Sequence, residues 1–367
     1  MPRPDRPNFE RVKQALLLQG EPDRVPLMEL SIDRAVKRAF LKTEKRGLAR
    51  EVEFWVEAGY DHIPISQGAG MVITGRVGRN DAAGDAFSTT MLCASGHYSI
   101  FEESETTRSW MREDRGVITS WEDFEKFPWP NPDDLDYAIL DRVGENLPQG
   151  MKIIPLVSTC FPQISALMGT ETFMLSIYDD PELVARLFEK LGEIEYAALE
   201  RIVDRPMVGA IWAVGDVAYG EGTLVSPKVL RQHVFPVLKR MVGLAKSRDL
   251  PTLFHSDGKL YEVIDDLIDC GFNAIHPIEP KAMDIARLKH TYGDRLCLCG
   301  NIDLAYTLTL GSPEEVVQEV KRRLKEIAPG GGYCLGSSNS VTEYVPLANF
   351  NAMRETVLKY GRYPISI

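Results

Sequence analysis

The sequence predicts an α/β fold, a (β/α)₈ TIM barrel, and two observations lead there. Short apolar, β-branched runs alternate with segments of helical periodicity, and eight such runs occur along the chain. The runs are near-continuously apolar, which suits parallel strands buried on both faces. Eight repeats favour closure into a barrel; an open doubly wound sheet is the alternative that such alternation leaves.

The strand segments are 24–30 (RVPLMEL), 61–65 (DHIPI), 151–158 (MKIIPLVS), 208–214 (VGAIWAV), 251–255 (PTLFH), 273–278 (NAIHPI), 295–300 (RLCLCG) and 332–337 (GYCLGS). The helices between them carry their own punctuation. Asp180 and Pro181 supply an N-cap and a first helical position, and Leu183, Leu187, Leu191, Ile194, Ala198 and Ile202 keep helical spacing as far as Asp204. Ser226-Pro227 and Ser312-Pro313-Glu314-Glu315 open two more helices, while Gly271 and Gly293 close those over 261–270 and 284–292. Spacing is regular from the fourth strand onward. Between the second and third strands, residues 66–150 stand out as an insertion within an otherwise single domain over 1–367. It holds Gly68, Gly70, Gly75, Gly78, Gly84 and Gly96, then the hairpin-like alternation HYSIFEE and the proline-rich FPWPNPDD. Such an insertion could form a lid or substrate wall, a homodimer interface, or a surface excursion that only shields the barrel mouth.

Composition narrows the function. Hydrophobic residues make up 44% of the 367 residues and charged ones 26%, an ordinary globular balance. A formal net charge of −11 disfavours nucleic acid as a partner. No apolar run is long enough to span a membrane, and the start, MPRPDRPNFERVKQ, lacks the apolar core of a secretory signal. Cys93, Cys160, Cys270, Cys297, Cys299 and Cys334 are scattered rather than arranged as a disulfide framework, so a reducing, cytoplasmic setting is expected.

Catalytic groups in such barrels come from the C-terminal ends of several strands. Polar residues read there are Glu29, Asp61, His62, Ser158, Thr159, Asp216, Glu221, His255, Asp257, His276, Glu279, Asn301, Asp303, Ser337, Ser338 and Asn339. The sharpest element is His255-x-Asp257 at the end of the fifth strand. At that spacing both side chains can point into one cavity and bind a divalent metal or set a tautomer for proton transfer. Asp257 could instead cap the helix after Gly258. Glu279, after the sixth strand, could complete a metal site with His255, or pair with Lys281 or Lys259. Asp216, His255, Asp257 and Asn301 are therefore the catalytic candidates, and His255, Asp257 and Glu279 the metal candidates. Glu29, Phe161, Trp212, Tyr219, Glu221 and Asn339 are the substrate-binding candidates. The aromatics among them, with Tyr333, could wall a flat substrate or simply be core. His276 reads as a core residue, and Cys297, Cys299 and Cys334 as core packing.

Long stretches resemble the uroporphyrinogen decarboxylase superfamily. They are IPLVSTCFPQISALMGTETFMLSIYDDPELVARLFEKL, GDVAYGEGTLVSPKVLRQHVFPVLKRMV, FHSDGKLYEVIDDLIDCGFNAIHPIEP, YGDRLCLCGNIDLAYTL and GGGYCLGSSNSVTEYVPLANFNAM. The resemblance implies the barrel and two main chemistries. The decarboxylase of tetrapyrrole biosynthesis marks itself with an arginine-rich segment after the first strand. Here MELSIDRAVKRAF offers only Arg34, Lys37 and Arg38, and SSNSV stands where that branch carries a C-terminal histidine. The corrinoid-dependent methyltransferase branch uses zinc on His-x-Cys after the fifth strand, a glutamate after the sixth in some members, and a cysteine after the eighth. His255 and Glu279 match; Asp257 and residues 337–340 stand at the cysteine positions. A harder site of histidine and carboxylates suits an oxygen-bound methyl group better than a thiol. The implied activity is methyl transfer from a small methoxylated compound to Co(I) of cobalamin on a separate corrinoid protein, with zinc as Lewis acid at the leaving oxygen. Uroporphyrinogen decarboxylation, or a non-catalytic barrel that binds a small molecule, is the alternative.

Overall fold

The computed structural model describes residues 5–66, 116–135 and 137–367. Its centre is a curled, all-parallel sheet of β1 (His62–Ser66), β2 (Lys152–Ser158), β3 (Ile211–Val214), β6 (Thr252–His255), β7 (Ala274–His276), β8 (Cys297–Cys299) and β9 (Tyr333–Cys334), in that spatial order. A two-stranded hairpin, β4 (Ala218–Tyr219) and β5 (Gly222–Thr223), lies outside the sheet. Neighbours in the sheet follow chain order, and helices cross between them, as parallel pairing requires.

Seven of the eight expected strands are ladder strands. The first is not. Segment 24–30 joins β9 through a single parallel bridge, Leu27 to Leu335, with Met28 N–H donating to the Leu335 carbonyl at 2.9 Å. Pro26 has no N–H to extend a ladder there, although its carbonyl accepts from Leu335 N–H at 2.9 Å. The expected insertion is described only in part. Residues 116–135 and 137–150 hold helices Trp121–Lys126 and Ala138–Asn146, with a 3₁₀ turn at Pro132–Asp134. The Ala138–Asn146 helix packs on β2 and on helix Gly47–Ala58, so by residue 138 the chain is already a regular crossover. Residues 67–115, including the expected hairpin, lie outside the described residues.

Helix punctuation follows chemistry. Asp180 accepts from Leu183 N–H at 3.1 Å and opens Pro181–Glu200, which ends four residues before Asp204. Ser312 and Glu315 form a reciprocal capping box at Pro313–Ile327. Ser226-Pro227 leads through a π turn, Leu230–Val234, into Phe235–Lys246. Gly271 is left-handed at φ 98°, whereas Gly293 closes its helix at an ordinary φ of −65°.

Two apolar cores result. The larger lies between the sheet and its helices. The smaller is the sheet's inner face, built by Met28, Ile154, Trp212, Leu253, Ala274, Cys297, Cys299 and Cys334. Helix Phe9–Leu16 plugs its lower end with Phe9, Val12, Ala15 and Leu16, one apolar face at helical spacing.

Asp61 and His62 were expected among the upper strand ends. They lie instead at the lower end, because β1 begins at His62. Asp61 is fully buried and joins three elements. It accepts from Arg11 at 2.9 Å, from Arg24 at 3.2 Å and from Asn8 N–H at 2.9 Å. Thus the plug helix, segment 24–30 and β1 share one buried ion network. His62 is sealed and neutral, since burial pushes its pKa down to about 3. Removing one partner of a buried pair strands the other, at about 3–5 kcal/mol. Asp61→Ala is expected to lose that much in urea unfolding while the upper-end geometry stays intact. An unchanged midpoint would deny the network its role.

Candidate functional site

Strand parity builds the site. Alternate residues of a strand face the same side. Leu253 faces inward, so His255 does too; Ala274 faces inward, so His276 does too. The β6–β7 register pairs His255 with His276 directly. The two imidazoles meet through Nδ1 to Nδ1 at 2.8 Å, both rings buried. Two nitrogens at that distance share one proton, so each fixes the other's tautomer. Burial lowers the pKa of His255, with Asp216 opposing the shift; burial and His255 lower that of His276 much further. Both rings are neutral.

Around His255 Nε2 stand two carboxylates. Asp216 from the loop after β3 lies 3.8 Å away and Asp257 lies 3.9 Å away. One ligand atom from each of Asp216, His255 and Asp257 falls within 4.8 Å of the others, a spacing that suits a divalent cation. Asp216 also accepts from Asp257 N–H at 2.8 Å. Asp257 gives one carboxylate oxygen to the Asn339 amide; the other is buried without a partner. Burial, then Asp216 and Glu279, push Asp257 up to about 8, against the Asn339 hydrogen bond. A carboxylate oxygen left unpaired, two neighbouring acids and an imidazole nitrogen facing them together form an acceptor-rich cluster.

The turn after β6 is held on both sides. Gly258 has φ 88°, and a Cβ there would meet the Tyr219 backbone at 2.4 Å. That close approach seats the β4–β5 hairpin on the turn, and Lys259 N–H donates to the Tyr219 carbonyl at 2.8 Å. Ser256 accepts from Val217 N–H at 3.0 Å, and Glu279 accepts from Gly258 N–H at 2.6 Å. Asp257 caps no helix, since the following one begins at Ile264.

The structure therefore gathers Asp216, His255, Asp257 and Asn339. It adds His276, which the sequence reading left in the core; its equal inward parity with His255 was the available signal. Glu279 braces the turn and stands outside the three-ligand group, where Asp216 stands instead. Asn301 is buried, its amide donating to the Ile278 carbonyl at 3.0 Å and its oxygen unpartnered. Three of the expected substrate contacts sit elsewhere. Phe161 packs in the outer core against Phe173, ring centroids 5.3 Å apart. Trp212 lies one inward layer below His255, sealed and edge-on to His276 at 4.9 Å. Glu29 is sealed and latches segment 24–30 to the loop after β9, accepting from Ser337 N–H at 2.7 Å. Tyr219 and Glu221 are exposed on the hairpin.

Burial pushes Glu29 up to about 8, with the Ser337 hydrogen bonds opposing the shift. The folded chain keeps this proton up to about pH 8, whereas an unfolded glutamate gives it up near its ordinary value. Glu29 thus favours the fold at low pH and loses that contribution as pH rises toward 8. Glu29→Gln is expected to flatten the fall in melting temperature between pH 5 and pH 8. An identical slope in the variant would show that Glu29 is ionised in the fold.

A family model described as uroporphyrinogen decarboxylase (URO-D) matches residues 113–360. A methylcobamide:CoM methyltransferase MtaA of Methanosarcina barkeri is 32% identical over 216 residues, which span 59% of this chain and 59% of that relative. A uroporphyrinogen decarboxylase of Aromatoleum aromaticum is 27% identical over 146 residues, 38% of this chain and 39% of that one. The chain thus matches under two thirds of either relative's own length. In fold it is similar to a methyltransferase from Methanosarcina mazei, with a TM-score of 0.68 at 17% identity over 97% of this chain and 99% of that one. The chain belongs to the uroporphyrinogen decarboxylase family.

Proposed function

We propose that this member of the uroporphyrinogen decarboxylase family moves a methyl group from a small methoxylated compound to cobalamin on a separate corrinoid protein, with zinc at His255. The convergence of Asp216, His255 and Asp257 carries the reading. On the same reading, segment 24–30 closes the curled sheet as the first strand of a (β/α)₈ barrel, and the site opens at its upper end.

The donor set fits a divalent cation. His255 offers Nε2 once its Nδ1–H donates to His276, and Asp257 has a buried oxygen with no other partner. A zinc ion there would supply Lewis-acid polarisation of the bond between the methyl group and its oxygen. The chain's own groups do the rest. His276 holds the His255 ring and tautomer. Asn339 orients Asp257, and Asp257 N–H holds Asp216 in place. Asp257 would give up its proton on holding a cation, so loading would be favoured by rising pH. One nitrogen and two carboxylates make a harder set than thiolates, which favours an oxygen-bound methyl group.

Support from relatives is of two kinds: the Methanosarcina barkeri protein is named for methylcobamide chemistry, and the family for decarboxylation. The decarboxylase alternative needs a basic surface after segment 24–30. Lys37 there is already paired with Glu51. Among the described residues no helix is long and apolar enough to cross a membrane.

Metal analysis joined to turnover tests the reading. One zinc per chain is expected, with methyl transfer from a methoxylated aromatic to Co(I) cobalamin. His255→Ala is expected to lose the zinc and to lower the rate by more than about 100-fold, beyond the ~10–100-fold typical of outer-shell changes. Metal-free protein that converts uroporphyrinogen would overturn it, and so would ligand binding without turnover in the presence of corrinoid proteins.

A further inference from the structure

The inner face of the sheet holds a second ligand cluster, on β8 and β9. Cys297 and Cys299 are two residues apart on β8 and face inward together. The β8–β9 register sets Cys334 directly beside Cys299. All three sulfurs lie within 4.8 Å of one another, and Cys297 Sγ is 4.0 Å from Cys334 Sγ. All three are sealed from solvent and unoxidised. We propose that Cys297, Cys299 and Cys334 form a three-cysteine site for a soft monovalent ion of the Cu(I) class, separate from the cation site at His255.

Geometry favours it. Three sulfurs in a plane around a central ion, each bond ~2.3 Å, stand ~4.0 Å apart. The spacing in the cluster is already close to that, whereas a disulfide needs the sulfurs to close to ~2.05 Å. Coordination number selects the ion. A structural zinc site takes four ligands, and among the described residues this group contains three. Soft thiolates select Cu(I). Charge balance agrees with the choice. Lys289 reaches the cluster's edge, its ammonium donating to the Gly331 carbonyl at 2.6 Å. Cu(I) with two thiolates, one thiol and that ammonium is neutral overall, which an apolar interior tolerates.

The test is anaerobic titration of the reduced, metal-stripped full chain with Cu(I) as its acetonitrile complex, against a chromophoric Cu(I) chelator. Loading is done both on the folded chain and through refolding, because the sulfurs are sealed. One equivalent is expected, unaffected by His255→Ala and weakened by more than about 100-fold in the Cys297→Ser, Cys334→Ser double variant. X-ray absorption of the loaded wild type is expected to show three sulfur neighbours at ~2.3 Å, a reading that does not depend on the variant folding. No binding by either route, nitrogen or oxygen neighbours, or loss with His255→Ala alone would overturn the site and leave the cysteines as packing.

Discussion

The hydrogen bond between His255 and His276 is the constraint from which the upper end of the molecule follows. It exists because β6 and β7 pair in parallel with these two residues in register, both on inward parity. A shift of one residue in either strand would turn one ring outward and end the contact. Because two Nδ1 atoms share a single proton, the tautomer of His255 is decided by its neighbour. Because both rings are buried and neutral, Nε2 of His255 is available toward Asp216 and Asp257. The rest of the site is support for that geometry: Gly258 admits the hairpin, Ser256 and Glu279 pin the turn, and Asn339 reaches across from the loop after β9.

The two ends of the sheet divide the work. At the lower end, Asp61 ties Arg11 and Arg24 together under the plug helix, while Arg24 Nε and both ring nitrogens of the sealed His62 have no partner. At the upper end, polar atoms are left without partners: one Asp257 oxygen, Nε2 of His276, the Asn301 oxygen. Buried polar groups are normally satisfied, so unpaired ones in a cluster mark a place where something else binds. What separates the ends is composition: the lower end joins arginines to Asp61, whereas the upper end sets carboxylates beside His255, where the proposed chemistry lies.

Much of this was legible in the sequence. Continuous apolar runs located the strands, and Asp180-Pro181 and Ser312-Pro313 located two helix starts, because these signals are local. His255-x-Asp257 was legible for the same reason: parity and spacing are properties of one strand. What lay beyond reach depended on registers between distant segments. His276 reads as core until β7 is placed beside β6. Cys334 joins Cys297 and Cys299 only through the β8–β9 pairing. Asn339 reads as a substrate contact until it is seen to hold Asp257. Glu29 and Trp212 were misplaced for a different reason: Glu29 is latched by the loop after β9 and Trp212 lies within β3 one layer below His255, and burial is not written in the local pattern. Asp61 opens its segment, so its place at the lower end was itself legible, and only the buried pairing with Arg11 and Arg24 was not.

The central claim is that His276 sets the state of His255 that the proposed cation requires. Zinc titration of the wild type and of His276→Phe, with melting temperatures to confirm the fold, tests it most directly. The account predicts an affinity weaker by about 10–100-fold in the variant, the size expected when a ligand histidine loses the partner that orients it. Equal affinity in a folded variant would mean that His255 needs no partner, and the histidine pair would then be packing alone.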